Sequence, residues 1–152
     1  MRCQSCCRFP EQDSLWSPLL AKEEIALAAA QGIPPAIITL NGRIRPEPQG
    51  KEDLYLCPLL NPCGNTCKVY PAHPFECQLY PFLLQRQDKR VFLAVDENCP
   101  YVAEHSHSRE FKEYCEYLRR VLNYADYQAF FSNNPQLIQE YPNVTILAEL
   151  EA

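Results

Sequence analysis

Residues 57–81 read CPLLNPCGNTCKVYPAHPFECQLYP, and they hold Cys57, Cys63, Cys67 and Cys77, four of the nine cysteines in the chain. Pro58, Pro62, Pro71, Pro74 and Pro81 lie between or beside them. Each proline holds φ at about −65° and withholds a backbone N–H, so the thiols ride on a stiffened loop rather than on a long regular element. A loop of this kind can present ligands to a metal. Two further groups complete the set: Cys3, Cys6 and Cys7 at the N-terminal end, and Cys99-Pro100 beyond the clearest hairpin pattern. The expectation is that all three groups converge on one metal or iron–sulfur centre, with a small α+β fold built around them.

The composition narrows the classes. A chain of 152 residues reads most simply as one core that needs no covalent bridges to replace it. The formal charge is −5, and the 14 Lys and Arg are scattered apart from Arg119-Arg120, so neither a nucleic-acid footprint nor an acidic partner is indicated. Four thiolates around zinc, or around a 4Fe-4S core, would add about two negative charges. No run reaches the length of a membrane span, and the first thirty residues show no apolar segment behind a basic start. A cytoplasmic location follows as the expectation, where clustered thiols serve metals or redox chemistry more often than disulfides. The odd cysteine count and the adjacent pair Cys6-Cys7 also fit a disulfide framework poorly.

Periodicity places the remaining elements. Ser17-Pro18 reads as the cap and first turn of a helix running to Gln31, stopped by Gly32 and Pro34-Pro35. Residues 37–40 read as a short strand before the Asn41-Gly42 turn, and residues 53–56 as a strand that delivers Cys57. Residues 79–84 and 91–95 read as one β-hairpin joined through 85–90. Beyond Tyr101, Phe111, Tyr114, Cys115, Leu118, Val121 and Leu122 follow a helical apolar stripe, which makes Cys115 a packing residue rather than a ligand. Residues 143–150 read as an edge strand or a loosely packed tail. The division drawn from these signals is a cysteine-cluster metal-binding part, 1–101, and a C-terminal helical extension, 102–152, packed on the same core.

Ligand spacing leaves several arrangements open. Cys3 and Cys6 have C-x2-C spacing, and Cys63 and Cys67 have C-x3-C spacing with Gly64 to ease the bend; those pairs alone would make a four-thiolate zinc site. Neighbouring side chains diverge by about 100° on a helix and about 180° on a strand, so Cys6 and Cys7 cannot serve one ion in the same way. Either one of them packs into the core, or there is more than one site, or a multi-atom cluster takes ligands from several directions. Tyr70, Tyr80 and Phe82 are candidates to wall such a centre from water.

The run Cys3-x2-Cys6-Cys7, then Cys57-Pro58-Leu59-Leu60, Cys67-Lys68-Val69-Tyr70, Pro74-Phe75-Glu76-Cys77-Gln78-Leu79-Tyr80-Pro81-Phe82 and Cys99-Pro100 resembles the YkgJ-type cysteine-cluster family. That family is described as a zinc- or iron-chelating domain and is often labelled an iron–sulfur oxidoreductase. A similar cysteine module occurs in the flagellin lysine N-methylases, where an iron–sulfur cluster is implied. The resemblance covers about residues 1–101, and it implies Cys3, Cys6, Cys7, Cys57, Cys67, Cys77 and Cys99 as metal ligands. The chain departs from the family pattern in three places. The first cysteine of the usual C-x2-C-x2-C-C knot is missing, and Cys63, which the pattern lacks, is the candidate replacement. His73-Pro74 and Gln78 stand where the family carries arginines, which leaves His73 as the nearest stand-in for a cation.

Two functional classes compete. In one, a 4Fe-4S cluster transfers electrons or assists modification of another protein, with a redox donor or protein partner. In the other, zinc is structural and the domain is a binding module. The prolines beside Cys57 and Cys99, and the surplus of thiols over four, favour the cluster. The four glycines form no nucleotide-binding turn, which disfavours a complete methyltransferase, and no Ser-His-Asp or paired-carboxylate set stands out.

Overall fold

The structure is a computed structural model that describes residues 5–50, 54–70 and 73–151. Its backbone divides into two compact units, Met1–Gln78 and Leu79–Ala152. The boundary expected at 101/102 falls inside the second of them. The mixture of helices and small antiparallel sheets makes this an α+β protein.

In the first unit a 3-10 turn at Ser5–Cys7 runs directly into strand β1 (Arg8–Phe9). Helix α1 (Lys22–Ala30) follows, then β2 (Glu47–Pro48), β3 (Tyr55–Leu56), β4 (Leu60–Asn61), β5 (Thr66–Cys67) and the short helix α2 (Phe75–Leu79). The first three strands form an antiparallel sheet in the order β1-β3-β2, with Arg8 opposite Leu56 and Glu47 opposite Leu56 on its other side. β4 and β5 make a separate two-stranded ribbon, Leu60 opposite Cys67. Phe9, Leu20, Ala28, Ile44, Leu56, Cys57, Leu59 and Leu60 pack together as the core of this unit.

Helix α1 starts later than Ser17-Pro18 suggests. Ser17 is buried and its hydroxyl donates to Ile44 O, while Arg43 Nη1 donates to Leu15 O at 2.6 Å and also to Ser17 O. Leu19 bridges to Arg43, and Leu20 N–H donates to Gly42 O at 2.9 Å, so the backbone of 17–20 is spent on extended pairing before any helix can begin. The Asn41-Gly42 turn is present, with Gly42 at φ 85°. A Cβ there would come within 3.3 Å of Leu20 O. Residues 35–37 form a 3-10 turn rather than a strand, leaving only an isolated bridge between Ile38 and Ile44.

The second unit is built on a three-stranded antiparallel sheet. Strands β6 (Phe82–Gln87) and β7 (Arg90–Asp96) form the hairpin, which is shifted from expectation because Leu79 closes α2 and the connection is only Asp88-Lys89. Asp88 takes φ 56°, a left-handed conformation that Asp tolerates better than most residues. Val91 through Asp96 are all buried, which is why β7 shows an apolar run instead of alternation. Helices α3 (Pro100–His105), α4 (Arg109–Leu122) and α5 (Ala125–Asn133) come next, and β8 (Val144–Leu150) then pairs with β7 as an edge strand. The β7–β8 register shifts between Leu93 and Ala94, so Leu147 is the extra residue of a bulge. The outer side of β6 is met by Gln139, through a parallel bridge to Gln85.

Ser108 caps α4 by accepting the Phe111 N–H at 3.1 Å, and Phe111, Leu118 and Leu122 form its buried stripe. Tyr114 lies at the rim of that stripe, half exposed, with its ring against Phe82 and Tyr117, and Cys115 is half-buried rather than enclosed. No helix among the described residues is long and apolar enough to cross a membrane.

Leu93, at the centre of β7, has no exposed surface. Leu93→Ala is expected to destabilise the second unit by about 2–5 kcal/mol through lost apolar transfer and a residual cavity. Urea denaturation checks the value, and a loss well under about 1 kcal/mol would show that the sheet collapses around the gap.

Candidate metal centre

The β1–β3 ladder continues one step past its last named pair, because Cys57 N–H donates to Cys7 O at 3.0 Å. This single bond joins the N-terminal knot to the start of the cysteine stretch, two segments that are fifty residues apart. Cys57 O then accepts the Leu60 N–H at 2.9 Å, turning the chain into β4, and Lys68 N–H donates to Leu59 O at 2.8 Å beside Cys67. The bend between β4 and β5 is made by Asn65 at φ 47°, not by Gly64. Cys77 sits in the middle of α2.

Four thiols of the first unit, Cys6, Cys7, Cys57 and Cys77, have shifted acidities, and the neighbouring Cys67 acts on two of them. Burial raises the Cys57 thiol to about 11; the backbone amides of Leu59 and Leu60 work against that, and the neighbouring Cys67 and Cys6 add to it. Cys77 is pushed well above the usual thiol range, first by burial and then by Cys57, Glu76, Cys6 and Cys67. Cys6 and Cys7 share a hydrogen bond in which the Cys7 thiol donates. Cys6 is thereby lowered to about 7, whereas Cys7 is raised by that bond, by burial and by the nearby Cys6, Cys57 and Cys77. The adjacent pair therefore divides into a thiolate and the thiol that supports it. Gathering negative charge in one partly buried place is unfavourable unless a cation compensates it.

The other candidates fall as follows. Cys3 lies outside the described residues. Cys63 is exposed on the β4–β5 turn, where its N–H donates to Asn61 Oδ1 at 3.2 Å, while Cys67 is half-buried on the core. Cys99 belongs to the second unit: it is buried, precedes Pro100 at the start of α3, and donates its N–H to Asp96 O at 3.3 Å. Asp96 holds that turn, accepting from Tyr80 Oη at 2.9 Å, Asn98 N at 2.9 Å and Asn98 Nδ2 at 3.0 Å. All eight described cysteines are free thiols. Among the described residues no three His, Cys, Asp or Glu side chains close on a common point in the manner of a bound single ion.

Tyr70 does not wall the centre, because 73% of its surface is exposed and its ring stacks on His73. His73 in turn uses its carbonyl to accept Gln78 Nε2 at 2.7 Å. Two residues that the sequence reading passed over hold the Cys77 turn. Glu24 accepts from Ala21 N at 2.8 Å through Oε2 and from Phe75 N at 2.6 Å through Oε1. Glu76 Oε2 accepts from Leu19 N at 2.7 Å. Part of this was readable, since a glutamate three residues into a helix commonly reaches back to the capping N–H. The bond to Phe75 crosses 51 positions and has no local signal.

Comparison with family models, with curated proteins and with solved structures yields no match to this chain.

The thiolate is the form that reacts with iodoacetamide, so in reduced, metal-free protein the rate at Cys6 should rise with pH through about 7 and level off above it. Cys57 should stay slow until the pH approaches about 11. Peptide mapping by mass spectrometry at neutral pH would then find Cys6 labelled before Cys57. Labelling of Cys57 ahead of Cys6 would show that the hydrogen-bonded pair is wrongly assigned.

Proposed function

We propose that the first unit binds a metal through cysteine thiolates drawn from Cys6, Cys7, Cys57, Cys67 and Cys77, and that the group held is a 4Fe-4S cluster. The observation that carries the reading is the proximity of these thiols, with Cys6, Cys57 and Cys77 acting on Cys7 and with Cys6 and Cys67 acting on Cys57 and Cys77, held by the Cys7–Cys57 backbone bond and by the turn of α2. The donor set is all sulfur, which suits iron–sulfur clusters and zinc and disfavours hard cations. A cube of irons takes each thiolate on a different metal atom, so its ligands stand further apart than four sulfurs on one zinc. Thiols carried on three separate segments, Cys6-Cys7, Cys57 to Cys67 and Cys77, suit the wider spacing of the cube. The resemblance to the YkgJ-type family belongs to the same proposal, as do a cytoplasmic, thiol-preserving location and a protein partner or redox donor.

When bound, a 4Fe-4S cluster supplies one-electron transfer, with a potential set by hydrogen bonds to its sulfurs and by exposure. This chain contributes to both controls. The amides of Leu59 and Leu60 donate to the Cys57 sulfur, stabilising its anionic form, and Cys57 itself is only 7% exposed. Whether the electron serves a separate redox partner or the modification of another protein depends on that partner.

Protein purified without air should be brown, with broad visible absorption that dithionite bleaches and with iron and acid-labile sulfide in comparable amounts. Cys67→Ala and Cys77→Ala should each lose most of both. A colourless protein carrying stoichiometric zinc would favour the second reading, a structural zinc module without catalysis, which the same sulfur set permits.

A further inference from the structure

We infer that Glu24 is the positioning residue of Cys77: its carboxylate ties the starts of two helices together and so fixes the turn that carries this thiol. Its consequence at the metal rests on the function proposed above, while the placement itself rests on geometry. Helix α2 has five residues, too few for its own hydrogen bonds to hold it in water. The first N–H groups of a helix have no partner within it. Glu24 Oε1 takes one of these, the N–H of Phe75, at 2.6 Å, and its other oxygen holds the Ala21 N–H at the start of α1 at 2.8 Å. Ala21 and Leu19 are buried, so the near end of the tie is rigid. Glu76 returns the link by accepting the Leu19 N–H at 2.7 Å, and Cys77 is the next residue. Two carboxylates thus clamp α2 from opposite directions immediately before the thiol.

Both oxygens of Glu24 must be acceptors for this to work. Glutamine in the same pose offers one carbonyl oxygen and one NH2, and the NH2 would face a backbone N–H donor. Glu24→Gln therefore removes one of the two bonds with almost no change of volume. Glu24→Asp keeps the charge but is one methylene too short to span both amides, and it serves if the glutamine variant does not fold.

The test has two arms. In the first, anaerobic protein is loaded with cobalt(II), whose sulfur-to-metal charge-transfer band grows with the number of thiolate ligands. Glu24→Gln should lose the share of one thiolate, as Cys77→Ser does, and the double variant should fall no lower than Cys77→Ser alone. In the second arm, metal-free folded protein is alkylated, and the rate at Cys77 should rise by about tenfold or more in Glu24→Gln while that at Cys57 is unchanged. A wild-type band in Glu24→Gln, a double variant below Cys77→Ser, or an unaltered Cys77 alkylation rate would overturn the assignment. Failure of the proposed function is read separately, from wild-type protein purified without air that holds neither iron and sulfide nor zinc; a wild type without a thiolate–cobalt band leaves the cluster standing, and the alkylation arm then decides the role of Glu24.

Discussion

The hydrogen bond from Cys57 N–H to Cys7 O is the constraint on which the first unit turns. It is an ordinary rung of an antiparallel ladder, yet it lies where the sheet ends and the cysteines begin. Strands of two residues each have little stability of their own. They hold because Phe9 and Leu56 are buried with Leu20, Ala28 and Ile44, so apolar burial fixes the ladder and the ladder fixes the thiols. Remote cysteines are thus brought together by a hydrophobic core that contains few of them.

The thiols themselves oppose this arrangement once they ionise. Burial and the charge of neighbouring thiols raise Cys57 and Cys77, the hydrogen bond to Cys6 and burial raise Cys7, and the same hydrogen bond lowers Cys6. Metal binding to such a set has to displace protons, which couples affinity to pH and to the integrity of the fold. The carboxylates of Glu24 and Glu76 add negative charge close by, but both are engaged with backbone N–H groups that favour it. Electrostatic cost and structural tie come from the same atoms.

The legible parts of the chain were those whose cause is local. Helix α4 could be read because Phe111, Leu118 and Leu122 repeat on one face and Ser108 stands at its head. The hairpin could be read from its apolar runs, but not its turn, because only the backbone of Asp88 shows that two residues suffice. Ser17-Pro18 looked like a helix start for a sound local reason, and a distant carbonyl, Ile44 O, took the hydroxyl. The cysteines were visible as ligand candidates by type and spacing. The Cys7–Cys57 rung and the reach of Glu24 to Phe75 were not visible, because each spans some fifty residues and depends on how α1 and the first sheet pack.

The bulge at Leu147 has a consequence for how the chain can vary. Strand residues alternate between faces, so one additional residue would invert the phase of everything beyond it unless the ladder sets that residue aside in a bulge. With Leu147 set aside, Ala148 meets Leu93 and Leu150 meets Val91, and Leu150 is buried. Losing Leu147 would regularise the ladder and leave Ala148, Glu149 and Leu150 opposite Leu93, Phe92 and Val91, whereas losing any other position of the strand would shift these pairs. The bulge thus absorbs a one-residue difference in length, and a deletion at Leu147 is accommodated more easily than one elsewhere in the strand.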